Sequence, residues 1–459
     1  MGFTRELYPT ARLNNMAPQS EFEHRQDYSG SAGSYFQMFL AASVMVIPFS
    51  IALAWIFLFG DEILTVHSEE RILLTGGILL GLGWLMAIII GIGFDLLPFV
   101  HGKLPFDNSI LRFTVALNVS GQILIVAGIL TSSAYWFGQL ALVGVTLLVA
   151  QLWLLLPPAL ATVQAGKTGE DDDLLGAWSF MPTLMVPTIG TIAFIGWLMP
   201  LNPIAYQLAW FAIVDFFFVT ISFTLVISHF NRRLGWGILD PKKTRLTFRL
   251  FIAAELLHLI ALLMNASGVI TDHRIHVTAI IPVLIMWFMI SPKTIYQKAF
   301  SGEPHSRFIL TGYSLLLVAA LIGIFEILVI ERDTGMMNFR YFILLGVACQ
   351  ILYGYGHHLH QDHKHRSLEQ RQESWLVYMP INISIAALLI SILMDGFGWS
   401  NVTVEWIQTF MPLGFIVSSA VVFVWLIQEF WYKLYDWQRI PMFWGELQEN
   451  LDPYEFENE

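Results

Sequence analysis

The sequence predicts an all-α integral membrane protein of about twelve transmembrane helices, on three observations: long apolar stretches, scarce charge and a one-sided distribution of basic residues. Of its 459 residues, 56% are hydrophobic and 13% charged, with a mean hydropathy of +0.62; a soluble domain carries about 25% charged residues. Lipid is therefore the main solvent in which this chain folds.

Apolar stretches long enough to cross a hydrocarbon core of about 30 Å read at 36–59, 72–99, 109–130, 134–156, 179–200, 205–229, 247–267, 275–292, 307–330, 340–356, 376–395 and 406–432. The eighth is interrupted by Pro282 and ends at Pro292, so it is the least regular. Alternating the loops between the two sides places 20 of the 24 Lys and Arg on one side, leaving Arg71, Arg274, Arg332 and Arg340 on the other. Lys and Arg resist translocation, so the richer side is cytoplasmic. An even number of spans puts both termini there, and one span more or fewer would destroy the asymmetry. The expected organisation is a cytoplasmic N-terminal segment, 1–35, a membrane domain, 36–432, and an acidic, aromatic cytoplasmic tail, 433–459, in the inner or plasma membrane. The polar start lacks a basic n-region leading into a short apolar core, so the first helix is expected to be retained.

Composition also excludes function classes. One cysteine, Cys349, rules out a disulfide within the chain and any Cys-based zinc or iron-sulfur site, and in its apolar setting it reads as an inert packed thiol. The net charge of −11 comes largely from acidic patches at Glu170 to Asp173 and Glu446 to Glu459, so no nucleic-acid partner is expected. The expected partners are the lipid bilayer and other membrane subunits or a redox partner.

The chain repeats itself. The second and third spans carry a helix with small residues, a G-x-G at Gly91 and Gly93, a short basic turn and a return helix; the tenth and eleventh repeat the plan, and the eighth and ninth do so more loosely. The second and tenth spans differ by eight, which suits a four-helix period and not a six-helix one.

This plan resembles subunit I of the haem-copper oxidases and the related NnrS-type membrane proteins. Its most specific pieces are Gly91, Gly93, Pro98 and Gly102, and the stretch Arg274 to Phe300 that opens with a histidine. The resemblance implies three four-helix arcs in a pseudo-threefold ring and a role in respiration or nitric oxide response, haem-binding or accessory. In that superfamily, histidines at the outer starts of the second, sixth and tenth helices, and a pair late in the seventh, hold haem iron and copper. Here those places read Arg71-Ile72-Leu73-Leu74, Ala205-Tyr206-Gln207, Arg340-Tyr341-Phe342 and Asn265-Ala266-Ser267. A normal binuclear centre is therefore not expected.

Ionisable groups within hydrocarbon are costly and are functional candidates; here they are Asp95, Asp215, Glu255, His258 and Glu326. At about 1.5 Å of rise per residue, Asp215, Glu255 and His258 approach the midplane on consecutive antiparallel helices. Glu255 and His258 share a face at i, i+3. With Glu326 they are candidates for a proton relay; alternatively, a carboxylate fixes the tautomer of His258 so that it ligates haem b. His276, at the start of the eighth span, is the second candidate haem ligand, with Met336 and Met337 on the same side. A carboxylate-bridged metal site needs two Glu-x-x-His motifs and only one is present, so no metal site is expected. The cluster His357, His358, His360, His363 and His365 is interleaved with Lys364 and Arg366 and reads as a solvated cytoplasmic collar. The sequence thus leaves three readings open: an oxidase-like haem-binding or accessory protein, a proton-coupled secondary transporter, and a structural subunit of a membrane complex. No enzymatic reaction follows from it.

Overall fold

The computed structural model describes residues 41–52, 68–100, 108–165, 173–228, 241–289, 304–330, 336–354, 373–399 and 411–421, a few single positions excepted. The histidine collar, His101, His229, Arg332 and both terminal segments lie outside the described residues. Those described are helical, with no strand among them.

Among the described residues, seven helices are long and apolar enough to cross a membrane. They are α1 (Glu69–Gly93), α2 (Ile110–Leu130), α3 (Tyr135–Leu160), α5 (Pro203–Val226), α6 (Leu246–Ala266), α8 (Arg307–Val329) and α10 (Trp375–Met394). Three shorter apolar helices, α4 (Met185–Leu198), α7 (Arg274–Phe288) and α11 (Pro412–Val421), and the helical run α9 over 337–354 complete the described bundle. The first expected span is described only over part of 41–52, where it is helical. The eighth, α7, begins as a 3-10 turn, His273–Ala279, before its α-helical part, Ile280–Met289.

Burial separates the helices into two classes. In α1 and α5, 83% of the apolar window is buried, against 33–50% in the five other long helices. Nearly every residue of α9 is buried as well. Helices α1, α5 and α9 therefore form the interior, and exposed apolar residues such as Phe113, Trp153, Leu256 and Ile383 lie on the others. All three inner helices carry a π-helical segment, at Leu79–Leu85, Phe211–Phe218 and Ile343–Ala348, and these segments pack against one another. A π turn inserts an extra residue and disturbs the regular ladder of backbone bonds. In lipid, the freed carbonyls need internal donors. On α1 these come from outer helices: Asn118 Nδ2 donates to the Gly83 carbonyl at 3.1 Å and Gln151 Nε2 to the Leu82 carbonyl at 3.2 Å.

Helices α2 and α3 cross closely where Gly121 faces Gly144. A Cβ at Gly144 would stand 2.6 Å from the Gly121 carbonyl oxygen and 2.7 Å from the Ile125 side chain. Close approach of this kind replaces the hydrophobic driving force that lipid removes. Gly144→Val should destabilise the protein by about 1–3 kcal/mol through overpacking, read as a lowered unfolding midpoint in detergent, while Gly138→Val, at a glycine with nothing within 4 Å of its Cβ position, serves as the control.

Candidate functional site

The start of α5 is set locally. Asn202 Oδ1 accepts the backbone N–H groups of Ile204 and Ala205 at 3.1 and 3.2 Å, and Pro203 occupies the first turn. Twelve residues beyond Pro203, inside the π segment, Asp215 points into the bundle and is 3% exposed. Arg340, in the first turn of α9, meets it: Nη2 donates to Oδ2 at 2.8 Å, and Nε lies 3.2 Å from both carboxylate oxygens. Arg340 is 1% exposed, its Nη1 donates to Gln207 Oε1 at 3.1 Å, and its guanidinium carbon lies 5.9 Å from the centre of the Trp210 ring. A planar, always charged fork suits this bidentate contact, which a lysine could not reproduce.

From α6, His258 approaches the other side of Asp215, with Nε2 3.1 Å from Oδ2. Its second ring nitrogen, Nδ1, lies 2.9 Å from the hydroxyl of Thr278 on the 3-10 turn of α7. Asp272 fixes the entry to that turn by accepting the Arg274 backbone N–H at 2.9 Å. The Phe211 ring lies against the imidazole, with centroids 5.6 Å apart. One turn before His258, Glu255 is 2% exposed and within electrostatic reach of Asp215, and neither carboxylate oxygen has a hydrogen-bond partner among the described residues.

Of the four proton-relay candidates, the structure thus brings together Asp215, His258 and Glu255. Glu326 has a holding role of its own: its two oxygens accept the backbone N–H groups of Asn338 and Phe339 at 3.2 and 3.1 Å, and its segment packs against the 3-10 turn of α7. It caps α9 from α8, while Met336, at the cap position itself, has φ of 59° and offers no side-chain bond. His276 is buried two residues from Thr278. The side chain of Asp95 lies outside the described residues.

Sequence reasoning missed Arg340, Gln207 and Thr278. Arg340 counts there among the few basic residues on the outer side, as a loop charge; here it is fully desolvated and ion-paired. The available signal was an arginine at the head of an otherwise apolar helix, on the same side of the bilayer as the start of the span that carries Asp215.

Three of the four places where the resemblance puts metal-ligating histidines converge. Arg340 bonds to Gln207, and the Tyr341 hydroxyl donates to the Leu73 carbonyl at 2.8 Å. Aromatic rings fill the space between: Trp210 packs edge-on against Tyr341 and Tyr206, and a Cβ on Gly77 would collide with the Trp210 ring. These residues do not fit a haem held by His258, because both its ring nitrogens are engaged and no lone pair faces an open space. Among the described residues no group of three or more His, Cys, Asp or Glu could hold a metal ion. Comparison with protein-family models and with curated proteins finds no match for this chain.

Proposed function

We propose that this chain is a proton-handling multi-pass membrane protein on an oxidase-like scaffold of three four-helix arcs, in which a charge network occupies the place of the metal centre. The observation that carries this reading is the Arg340, Asp215 and His258 network, desolvated where α5, α6 and α9 meet, with beside it the carboxyl of Glu255, which has no hydrogen-bond partner among the described residues. Charged groups at this depth are costly, and proton relays are among the main reasons they persist. Arg340 and Asp215 offset one another, so His258 and Glu255 are the groups free to change charge. A proton on His258 together with an ionised Glu255, or a neutral pair, leaves the cluster with the same net charge. Proton exchange between these two states avoids creating an isolated buried charge.

What supports the scaffold is the recurrence of buried, π-bearing helices at α1, α5 and α9, four helices apart, with their π segments in mutual contact. Two six-helix halves, as in a secondary transporter, give no reason for a feature to recur every four helices. In this reading the twelve spans, the cytoplasmic termini and the inner or plasma membrane location stand as the sequence frames them.

The test is proton flux into proteoliposomes containing a pH-sensitive dye, driven by a potassium diffusion potential. Asp215→Asn and Glu255→Gln are expected to lower the flux by roughly 10²-fold, the scale of a positioned proton-transfer group. Flux that is absent from the wild type, or unchanged in both variants, overturns the proton reading. A reduced optical spectrum with a pyridine haemochrome assay completes the experiment. Stoichiometric haem b lost on replacing His276 would show that a cofactor site survives beside the network.

A further inference from the structure

We infer that Thr278 sets the protonation state of His258 through the direction of its single hydroxyl proton, and so acts as the positioning residue of the relay. The inference rests on the proton-handling reading of the same cluster and adds a residue and a device to it. Hydrogen-bond accounting carries it. Thr278 Oγ1 lies 2.9 Å from His258 Nδ1 and 2.9 Å from the Ile275 carbonyl oxygen, to which it donates. A hydroxyl has one hydrogen and a carbonyl can only accept. With that hydrogen on Ile275, Oγ1 presents only lone pairs to the imidazole, while Nε2 faces the Asp215 carboxylate, also an acceptor. Both ring nitrogens then look at acceptors, and only the doubly protonated imidazolium satisfies both.

Turning the hydroxyl by one rotamer gives the other state. Thr278 then donates to Nδ1, and His258 is neutral, with its one hydrogen on Nε2 toward Asp215. The two states differ by one proton on Nδ1, balanced by the proton that Glu255 carries in the neutral state, and by the direction of one O–H bond. The titratable and charged groups on the elements around the imidazole are consistent with both states. Asp215 on α5 faces it and is itself held by Arg340 from α9; Glu255 lies one turn away on α6, His276 on the turn that carries Thr278, and Glu326 on the segment of α8 packed against that turn, while α4 brings no charged residue. With His258 cationic, Arg340 and His258 flank one aspartate, and an ionised Glu255 closes the balance. Thr278 is half-buried at the outer start of α7, where solvent can reach it more easily than the rest of the network.

The experiment is solid-state 15N NMR of histidine-labelled protein in bilayers, with His258 assigned by its absence in His258→Gln. In the wild type, the His258 signals are expected to show both nitrogens protonated, or Nε2 alone, and never Nδ1 alone. Thr278→Val keeps the shape and removes the acceptor, so the ratio of doubly to singly protonated imidazole, compared at one pH, should fall about three- to tenfold, the equilibrium equivalent of one hydrogen bond. Thr278→Ser, which keeps the hydroxyl, should restore it. A wild-type His258 protonated on Nδ1 alone, or a ratio that is the same in wild type and Thr278→Val, overturns the inference; the wild-type spectrum alone can overturn it if the valine variant fails to fold. Proton flux through Asp215→Asn is scored separately, so a His258 that responds to Thr278 in a protein without proton flux would keep this inference and reject the larger reading.

Discussion

Arg340→Gln is expected to destabilise the protein by about 3–5 kcal/mol, because it takes from the buried Asp215 carboxylate its permanent charge partner and leaves only His258 beside it. Both side chains are desolvated, 1% and 3% exposed at the residue level, and two guanidinium N–H donors, Nε and Nη2, hold the carboxylate in the bundle interior. Removing one charge therefore exposes the other to a medium that cannot solvate it. The double variant Arg340→Gln with Asp215→Asn should recover much of that loss, since it replaces an orphaned charge with two neutral amide-bearing groups. Unfolding midpoints of the two single variants and the double variant in detergent give the interaction by a double-mutant cycle. If the double variant loses the sum of the two singles, the pair is not a coupled unit and the network is misread.

Glu326→Ala should cost about 2–3 kcal/mol, the range for hydrogen bonds to a charged group together with the orphaned donors they leave. The two backbone N–H groups it holds belong to the first turn of α9, one and two residues before Arg340. A carboxylate there also meets the positive end of the helix. Glu326→Gln keeps an acceptor and loses the charge, so its loss should be about half as large. Because the cap precedes Arg340 directly, Glu326→Ala should also lower proton flux more than its stability loss explains. Flux that tracks folded protein alone would confine Glu326 to a capping role.

The two expectations share a cause. Arg340 can hold Asp215 only while the first turn of α9 keeps its place, and that turn has no cap of its own at Met336. The carboxylate that fixes it comes from the end of the neighbouring α8, where the helix passes into a π turn at Glu326–Ile330.

The sequence by itself determined the solvent and the class of fold. Lipid requires long apolar helices that satisfy their own backbone, and runs such as Ile110–Leu130 and Leu246–Ala266 are long and apolar enough to meet that requirement. It also isolated Asp215, Glu255 and His258, since a titratable group in an apolar span is conspicuous without any structure. Only the tertiary structure decided which helices are interior, that each of those carries a π segment, and that Arg340, Gln207 and Thr278 complete the cluster. The reason is physical. Hydropathy separates lipid from water but treats a buried helix and a lipid-facing one alike, because the core and the acyl chains are equally apolar. Arg340 near a span end has the sequence signature of an interfacial charge, and its reach of several ångströms across to α5 appears only when the helices are packed. A hydroxyl such as Thr278 carries no signal at all until the ring nitrogen it faces is known.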